Sequence, residues 1–171
     1  SVYREKIDDE EAIYLPLYYH AERGSQRLLA KIARTESFIQ HSVRDTDWSW
    51  YLSVLAQQND VSLTEQQQGA VKAALQSKVT VLTGGPGTGK TTTLQMVIHA
   101  LHAEQISFSL ASPTGRAAKR LGEATGEDAM TIHRLLGFGD GGFEHDEDNP
   151  LKLEMLIVDE ASMIDLVLLY N

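Results

Sequence analysis

The chain has 171 residues, a net charge of −9, 42% hydrophobic residues and 23% charged residues. This balance is typical of a soluble globular protein and excludes an intrinsically disordered chain. The charged N-terminus lacks a secretory signal, no apolar run is long enough to cross a bilayer, and cysteine is absent. We therefore expect a cytoplasmic protein with no membrane partner, no disulfide framework and no thiolate metal site.

The negative charge is concentrated near the C-terminal end. The segment DGGFEHDED, residues 140–148, carries much of it and predicts a solvent-exposed hairpin. The centre of the chain is nearly neutral and contains the basic stretch TGRAAKR, residues 114–120. The net charge therefore neither excludes nor supports a DNA partner. Because the chain starts at Ser1 and stops within the helix-like pattern LVLLYN, we expect it to be part of a longer protein.

The first sixty residues predict local structure but no chemistry. The stretch IYLPLYY, residues 13–19, is rich in β-favouring side chains and predicts a strand, and apolar residues at helical spacing follow it. A short amphipathic helix is expected after Asp47, a candidate N-cap. We assign residues 1–60 to the end of a preceding small domain or linker, and residues 61–171 to a second domain.

From Leu63 onward, predicted helices and strands alternate. The pattern favours helices after Thr64, from Lys90, from Thr114 and after Thr131. It favours strands at residues 78–83, 106–112 and 153–162. Such alternation predicts an α/β fold with a parallel sheet, and the uninterrupted apolar character of the last strand is typical of a sheet covered on both faces.

The segment GGPGTGKT, residues 84–91, matches the phosphate-binding pattern G-x-x-x-x-G-K-[ST] between a predicted strand and a predicted helix. Glycines allow backbone N–H groups to approach phosphate oxygens, and the helix start adds its positive dipole end. Lys90 would contact the β- and γ-phosphates, and the Thr91 hydroxyl would ligate Mg²⁺. A glycine turn without a ligand is the alternative, which the flanking elements disfavour. The predicted nucleotide-binding set includes Gly85, Pro86, Gly87, Thr88, Gly89, Lys90, Thr91 and Thr92.

The apolar strand LIVDEAS ends in two carboxylates, Asp159 and Glu160. Asp159 would hold Mg²⁺, and Glu160 would orient and deprotonate the attacking water. Alone, such a pair is more often a solvated strand end. About seventy residues after the phosphate loop, it predicts hydrolysis, with Lys90 and Glu160 as catalytic candidates.

Five segments together resemble the superfamily 1 DNA helicases of the RecD branch, and in particular the stand-alone RecD-like helicases. They are LTEQQQGAVKAAL, LTGGPGTGKTTT, ASPTGRAAKRLGEATG, TIHRLLG and LIVDEASMID, in this order. The resemblance implies a RecA-like P-loop domain, incomplete because the later motifs and the second motor domain are missing. It also implies an ATP- and Mg²⁺-dependent motor that moves 5′ to 3′ on single-stranded DNA and opens the duplex at a junction. We expect the chain itself to bind nucleotide as a monomer but not to unwind DNA.

The resemblance also implies roles for individual residues. Gln67 would read the adenine edge, although Thr64 and Gln67 also fit a helix capping box. The segments SPTGRAAKR and TIHR would contact the DNA backbone. The alternative for SPTGRAAKR is a capped helix with a solvated basic face, and the alternative for TIHR is a histidine with a structural role. The predicted DNA-binding residues are Pro113, Thr114, Gly115, Arg116, Lys119, Thr131 and His133.

Functions other than a helicase explain only part of the motif set. A different P-loop ATPase acting on nucleic acid explains the phosphate loop and the carboxylates but not SPTGRAAKRL or TIHRLLG. A conjugative relaxase-type helicase has the same type of motor, so it stays open as an alternative. A GTPase would need an N-K-x-D motif, which the chain lacks. A non-catalytic nucleotide-binding scaffold would not need Glu160. His99 and His102 are read as surface or packing residues, because no third ligand accompanies them.

Overall fold

The structure is a computed structural model that describes residues 2–171. Its N-terminal part is an antiparallel hairpin of β1 (Tyr3–Ile7) and β2 (Glu10–Tyr14), followed by α1 (Pro16–Ala33). The hairpin packs on α1 through Tyr3, whose ring stacks on Tyr19 at 4.2 Å between centroids. The strand predicted at residues 13–19 is wrong beyond Tyr14. The helix begins at Pro16 because proline has the φ angle of a helix and lacks only an N–H that is free in the first turn.

Four helices form the largest core cluster: α2 (Phe38–Ser42), α3 (Trp48–Gln58), α4 (Glu65–Gln76) and α5 (Lys90–Ala103). The predicted cap of α3 is confirmed, because the Asp47 carboxylate accepts a hydrogen bond from the Trp50 N–H at 3.2 Å. Side chains on both sides of the predicted domain boundary at residue 60 therefore share one core, and the division itself stays a prediction. The buried members are Ile39, Leu52, Leu55, Val71, Leu75, Met96, Val97, Ala100, Leu101 and Ile106.

A three-stranded parallel sheet has β3 (Phe108–Ser112) at its centre, between β4 (Ala129–Thr131) and β5 (Met155–Val158). After β3 comes α6 (Gly115–Thr125), and after β4 comes α7 (Ile132–Leu135). A short 3₁₀ turn and α8 (Leu166–Tyr170) follow β5. The predicted α/β class is confirmed, and the parallel sheet with its connecting helices is consistent with a RecA-like P-loop fold.

The strand predicted at residues 78–83 is wrong. This segment has no ladder partner, and Val81 is 84% exposed. The Thr80 hydroxyl instead donates a hydrogen bond to the Ala73 carbonyl at 3.1 Å, which holds the segment against the end of α4. Within residues 2–171, β5 pairs with β3 alone, so its other edge is open. A high β-propensity produces a strand only where a neighbouring strand completes the hydrogen bonds.

The acidic segment 140–148 forms tight turns. Its only ladder contact among the described residues is a single bridge between Gly139 and Gly142, so the predicted hairpin is reduced to one pair. Asp146 Oδ1 accepts hydrogen bonds from the backbone N–H groups of Asp148 and Asn149, both at 2.9 Å. The side chain of Glu147 reaches across to α1, so the segment is tethered as well as solvated.

Two further observations complete the fold. The α8 helix packs on α1, where Gly24 leaves room for the ring of Tyr170. Among the described residues, no helix combines the length and the apolar character that a membrane span needs.

Candidate nucleotide-binding site

The glycine-rich loop runs directly into α5, as the sequence predicts. Gly89 is the N-cap residue of this helix and has φ +78°, and Gly87 has φ +75°. Both angles lie in the left-handed region, where a side chain at Cβ costs free energy. The loop therefore needs glycine at these two positions for conformational reasons alone, and it places the free N–H groups of the first turn of α5 at the mouth of the loop.

Two other contacts explain why the loop is built from small residues. The Thr88 hydroxyl donates a hydrogen bond to the Gly85 carbonyl at 2.9 Å, which closes the loop on itself. A Cβ at Gly84 would lie 2.7 Å from Thr88 Oγ1, and a Cβ at Gly89 would overlap the side-chain amide of Gln67. The loop backbone thus passes close to its neighbours at both ends.

Lys90 lies at the first position of α5, and its side chain folds back over the loop. Its ammonium group donates hydrogen bonds to the carbonyls of Gly84 at 2.6 Å and Gly85 at 2.8 Å. The side chain is exposed, so these carbonyls hold a cation at the solvent-facing side of the loop. A phosphate oxygen is a stronger partner for an ammonium group than a neutral carbonyl, so this contact leaves the cation available to an anionic ligand.

A cavity of about 710 Å³ lies beside α5 and β5. Lys90 and Thr91 line it from the start of α5, and Asp159 and Glu160 line it from the end of β5. The structure thus brings these four predicted site residues around one space. Gln67, Thr92 and the loop residues 85–89 do not line this cavity. A smaller hollow of about 240 Å³ on the β1–β2 hairpin contains none of the predicted site residues.

The two carboxylates follow the strand as predicted, and the backbone of each has a distinctive geometry. The Asp159 N–H donates a hydrogen bond to the Ala111 carbonyl at 3.0 Å, which fixes the end of β5 on β3. Glu160 has φ +54° and ψ +36°, a left-handed conformation that is unfavourable for a residue with a side chain. Such strain concentrates at functional positions. Both side chains are exposed and free to meet a cation or water.

The alternative reading of Gln67 as part of a capping box is confirmed. Its side-chain oxygen accepts from the Thr64 N–H at 2.9 Å, and the Thr64 hydroxyl accepts from the Gln67 N–H at 3.3 Å. The amide nitrogen of Gln67 also lies 3.5 Å from the Gly89 carbonyl. Gln67 therefore links the start of α4 to the last glycine of the phosphate loop, and its role in reading adenine stays a prediction.

The predicted DNA-contacting residues begin at the ends of two adjacent parallel strands. Ser112, the last residue of β3, is paired with Thr131 of β4, and the candidates after β3 follow it directly. Thr114 and Thr131 each use the side-chain oxygen as an N-cap, accepting from the Ala117 and Arg134 N–H groups at 3.2 Å. The candidates thus lie at the carboxyl-terminal end of the sheet, where Asp159 and Glu160 follow β5.

The remaining DNA candidates differ in how free their side chains are. Arg116 is exposed and Gly115 has open space around its Cα, whereas the Lys119 ammonium lies 3.8 Å from the Glu123 carboxylate one turn along α6. His133 packs edge-on against Phe138 at 5.3 Å between ring centroids. His133 is itself exposed, and its contact with DNA stays a prediction.

Sequence reasoning missed two residues at the site. Arg120 lines the cavity together with Lys90 and the carboxylates, and the only signal for it is its position one helical turn after Arg116. Thr93 is buried, and its hydroxyl donates to the Gly89 carbonyl at 3.1 Å, which steadies the loop from inside α5.

The reading of His102 as a packing residue is supported by its contacts with Glu127, at 2.7 Å, and with the ring of Phe108. No cluster of three metal-ligating side chains occurs among the residues that the structure describes.

Comparison with known proteins identifies the family. Residues 67–171 match the AAA domain family. The ATP-dependent RecD2 DNA helicase of Deinococcus radiodurans is 37% identical over 155 residues, which cover 91% of this chain and 21% of that protein. The RecBCD enzyme subunit RecD of Mycolicibacterium smegmatis is 42% identical over 132 residues, or 61% of this chain and 24% of that protein.

A third relative lies outside bacteria. The ATP-dependent DNA helicase dda of Enterobacteria phage T4 is 37% identical over 116 residues, which cover 60% of this chain and 26% of that protein. The chain thus spans only about a fifth to a quarter of the length of these relatives. The chain belongs to the AAA domain family and, within it, is a RecD-like sequence that covers part of the motor domain.

Proposed function

We propose that this chain is the nucleotide-binding part of an ATP-dependent DNA helicase that acts in DNA repair or recombination. The observation that carries the proposal is the single cavity lined by Lys90, Thr91, Asp159 and Glu160. These residues supply an ammonium group, a hydroxyl group and two carboxylates, which is the donor set that a nucleoside triphosphate with Mg²⁺ requires. The relatives named as ATP-dependent DNA helicases support the same reading.

The residues present fit ATP and Mg²⁺. Residues 85–92 would surround the phosphates with backbone N–H groups, and the Lys90 ammonium would leave the Gly84 and Gly85 carbonyls to contact the β- and γ-phosphates. The Thr91 hydroxyl and Asp159 would hold the cation, which would neutralise phosphate charge. Glu160 would accept a proton from the attacking water. Gln67 would read the adenine while remaining the cap of α4.

Single-stranded DNA is the proposed second partner. Pro113, Thr114, Gly115, Arg116 and Lys119 would contact its phosphates after β3, and Thr131 and His133 would do so after β4. Because these segments begin at the same carboxyl-terminal end of the sheet as Asp159 and Glu160, hydrolysis and DNA contact would involve neighbouring ends of adjacent parallel strands. We further propose a cytoplasmic monomer, with residues 1–60 as the C-terminal part of a preceding small domain or linker.

The test compares two lysines in the full-length protein. Lys90→Ala removes the proposed phosphate contact, and Lys72→Ala removes the same charge from the exposed face of α4. We expect Lys90→Ala to weaken binding of a fluorescent ATP analogue about 10- to 100-fold, as for a lost charge-assisted hydrogen bond, and to abolish turnover. Lys72→Ala should leave both unchanged. Equal behaviour of the two variants would refute the phosphate contact.

A second measurement separates a helicase from another P-loop ATPase. Turnover of the full-length protein should rise on addition of single-stranded DNA, and Glu160→Gln should remove this turnover while ATP still binds. Turnover that ignores DNA would favour an ATPase of another kind. Turnover unchanged by Glu160→Gln would show that Glu160 does not activate the water, and the non-catalytic nucleotide-binding scaffold would remain as the alternative.

A further inference from the structure

The α1 helix carries a basic stripe along one face. Arg23, Arg27 and Lys31 follow one another at intervals of four residues, and Arg34 lies at the C-cap. These spacings place all four side chains within one side of the helix. Glu22 is the one acidic residue in α1. The neighbouring β1–β2 hairpin compensates only Arg23, through Glu5 at 3.5 Å.

The middle of this basic stripe is occupied by a carboxylate from far along the chain. Arg27 donates to Glu147 through its two terminal guanidinium nitrogens, at 3.3 Å to Oε1 and 2.8 Å to Oε2. Lys31 adds a contact to Oε1 at 3.1 Å. The hydrogen bonds from Arg27 and Lys31 lower the pKa of the Glu147 carboxyl to about 2. Both carboxylate oxygens of Glu147 thus accept hydrogen bonds from cationic side chains of α1 at the protein surface.

We propose that the basic stripe of α1 is a second binding surface for the phosphate backbone of single-stranded DNA, and that Glu147 covers it competitively. In the absence of DNA, the acidic segment 140–148 occupies the stripe. When DNA is present, backbone phosphates replace the carboxylate. The surface consists of different residues from those proposed to contact DNA after β3 and β4.

The chemistry of the contact favours a phosphate chain as the competing partner. A guanidinium fork binds two oxygens of a phosphate in the same geometry as two oxygens of a carboxylate. A row of cations spaced by one helical turn suits a polyanion better than a single small anion, because each additional phosphate releases counterions. Arg34 is exposed and makes no ion pair among the described residues, so the stripe extends past the carboxylate.

The exposure of the contact makes it displaceable. The side chains of Arg27, Lys31 and Glu147 keep 57%, 65% and 42% of their surface exposed, so water and salt reach every partner. Exposed ion pairs are weak and screened. The acidic segment also carries Asp140, Glu144, Asp146 and Asp148, and none of these side chains forms an ion pair within the described residues. They add negative charge to the segment without an ion pair that ties it to α1.

The experiment measures the affinity of the full-length protein for fluorescein-labelled oligothymidylate by anisotropy between 50 and 200 mM salt, roughly the range in which such contacts respond. Glu147→Gln removes the competing charge and should tighten binding about 2- to 5-fold at low salt. Asp148→Asn, which makes the same charge change at the neighbouring residue, is the matched control and should have a clearly smaller effect. In the Glu147→Gln protein, Arg27→Ala should weaken binding and reduce the salt slope by about one.

The affinities of these variants either support or overturn the proposal. Tighter binding by Glu147→Gln alone, reversed by Arg27→Ala, supports the proposal. Unchanged affinity, or equal tightening by Asp148→Asn, overturns it, because the contact would then be a structural tether or a general charge effect. Arg116→Ala in parallel keeps the two surfaces apart. If it weakens binding while Glu147→Gln does nothing, the helicase proposal stands and only the role of α1 falls.

Discussion

Gly89 combines two constraints that a pair of substitutions can separate. Its φ of +78° disfavours any side chain, and a Cβ there would overlap the amide of Gln67. Gly87 has nearly the same angle, φ +75°, but nothing lies within 4 Å of a Cβ built on it. Gly87→Ala therefore measures only the free-energy cost of a side chain at a positive φ angle. Gly89→Ala measures that cost together with the cost of displacing Gln67.

The magnitudes follow from these contacts. Gly87→Ala should lower the free energy of unfolding by about 1–2 kcal/mol, the cost of a left-handed alanine. Gly89→Ala should cost about 1 kcal/mol more, because the displaced Gln67 side chain can no longer accept from the Thr64 N–H and the capping box of α4 is lost. Urea unfolding followed by circular dichroism, at constant slope, gives both values.

A double-substitution cycle tests the mechanism. Gln67→Ala alone should cost about 1 kcal/mol, and it should cost the same in the Gly87→Ala protein. In the Gly89→Ala protein it should cost almost nothing, because the cap is already lost, which gives a coupling of about 1 kcal/mol. Additive costs, or equal destabilisation by the two glycine substitutions, would refute the proposed link between α4 and the phosphate loop.

Three further predictions concern the rest of the fold. Gly69→Ala should raise the free energy of unfolding by about 0.5–1 kcal/mol, because this α4 glycine has open space for a Cβ. Gly24→Ala in α1 should give no such increase, because its Cβ would displace the ring of Tyr170. Equal urea midpoints for the two variants would contradict the packing of α8 on α1. Burial, together with the nearby Glu104 carboxylate, raises the pKa of Tyr51 to about 12. The Tyr51 hydroxyl makes no hydrogen bond of good geometry within residues 2–171, to Glu104 or to any other group, so Tyr51→Phe should be neutral or stabilising at pH 7. The substitution should also reduce the loss of stability between pH 10 and 12, and an unchanged alkaline profile would refute this. The pKa of Glu147 is lowered from 4.5 to about 2, so its contribution to stability is present above pH 4.5 and is lost as the pH falls towards 2. The urea midpoints of the wild type and of Glu147→Gln should therefore converge between pH 4.5 and 2. A constant difference between the two midpoints would argue against the contact of Glu147 with α1.

Features that depend on a few neighbouring residues could be predicted from the sequence. The caps at Asp47, Thr64 and Thr131 are such features, because each side chain meets an N–H only three residues along the chain. The glycine-rich loop is another, since its pattern encodes the left-handed angles and the start of α5. The carboxylates after β5 were also predictable, because the end of an apolar strand in a parallel sheet has few alternative positions.

Features that depend on distant partners could not be predicted in this way. The segment 78–83 has the composition of a strand, but pairing depends on the open edge of β5, more than seventy residues later. The contact of Glu147 with Arg27 joins residues 120 positions apart. The hydrogen bonds of the Lys90 ammonium to the loop carbonyls are local, but they depend on the fold-back of one long side chain, for which the sequence pattern carries no signal.

The open edge of β5 also affects how the chain behaves in solution. Leu156 on that strand is 43% exposed, and Val79, Val81 and Leu82 in the unpaired segment 78–83 are exposed as well. Unpaired backbone groups beside uncharged, β-favouring side chains are a template for pairing between molecules. Above the dilute concentrations at which we propose a monomer, the purified chain should therefore self-associate edge to edge. Light scattering across a dilution series would measure how strongly it does so.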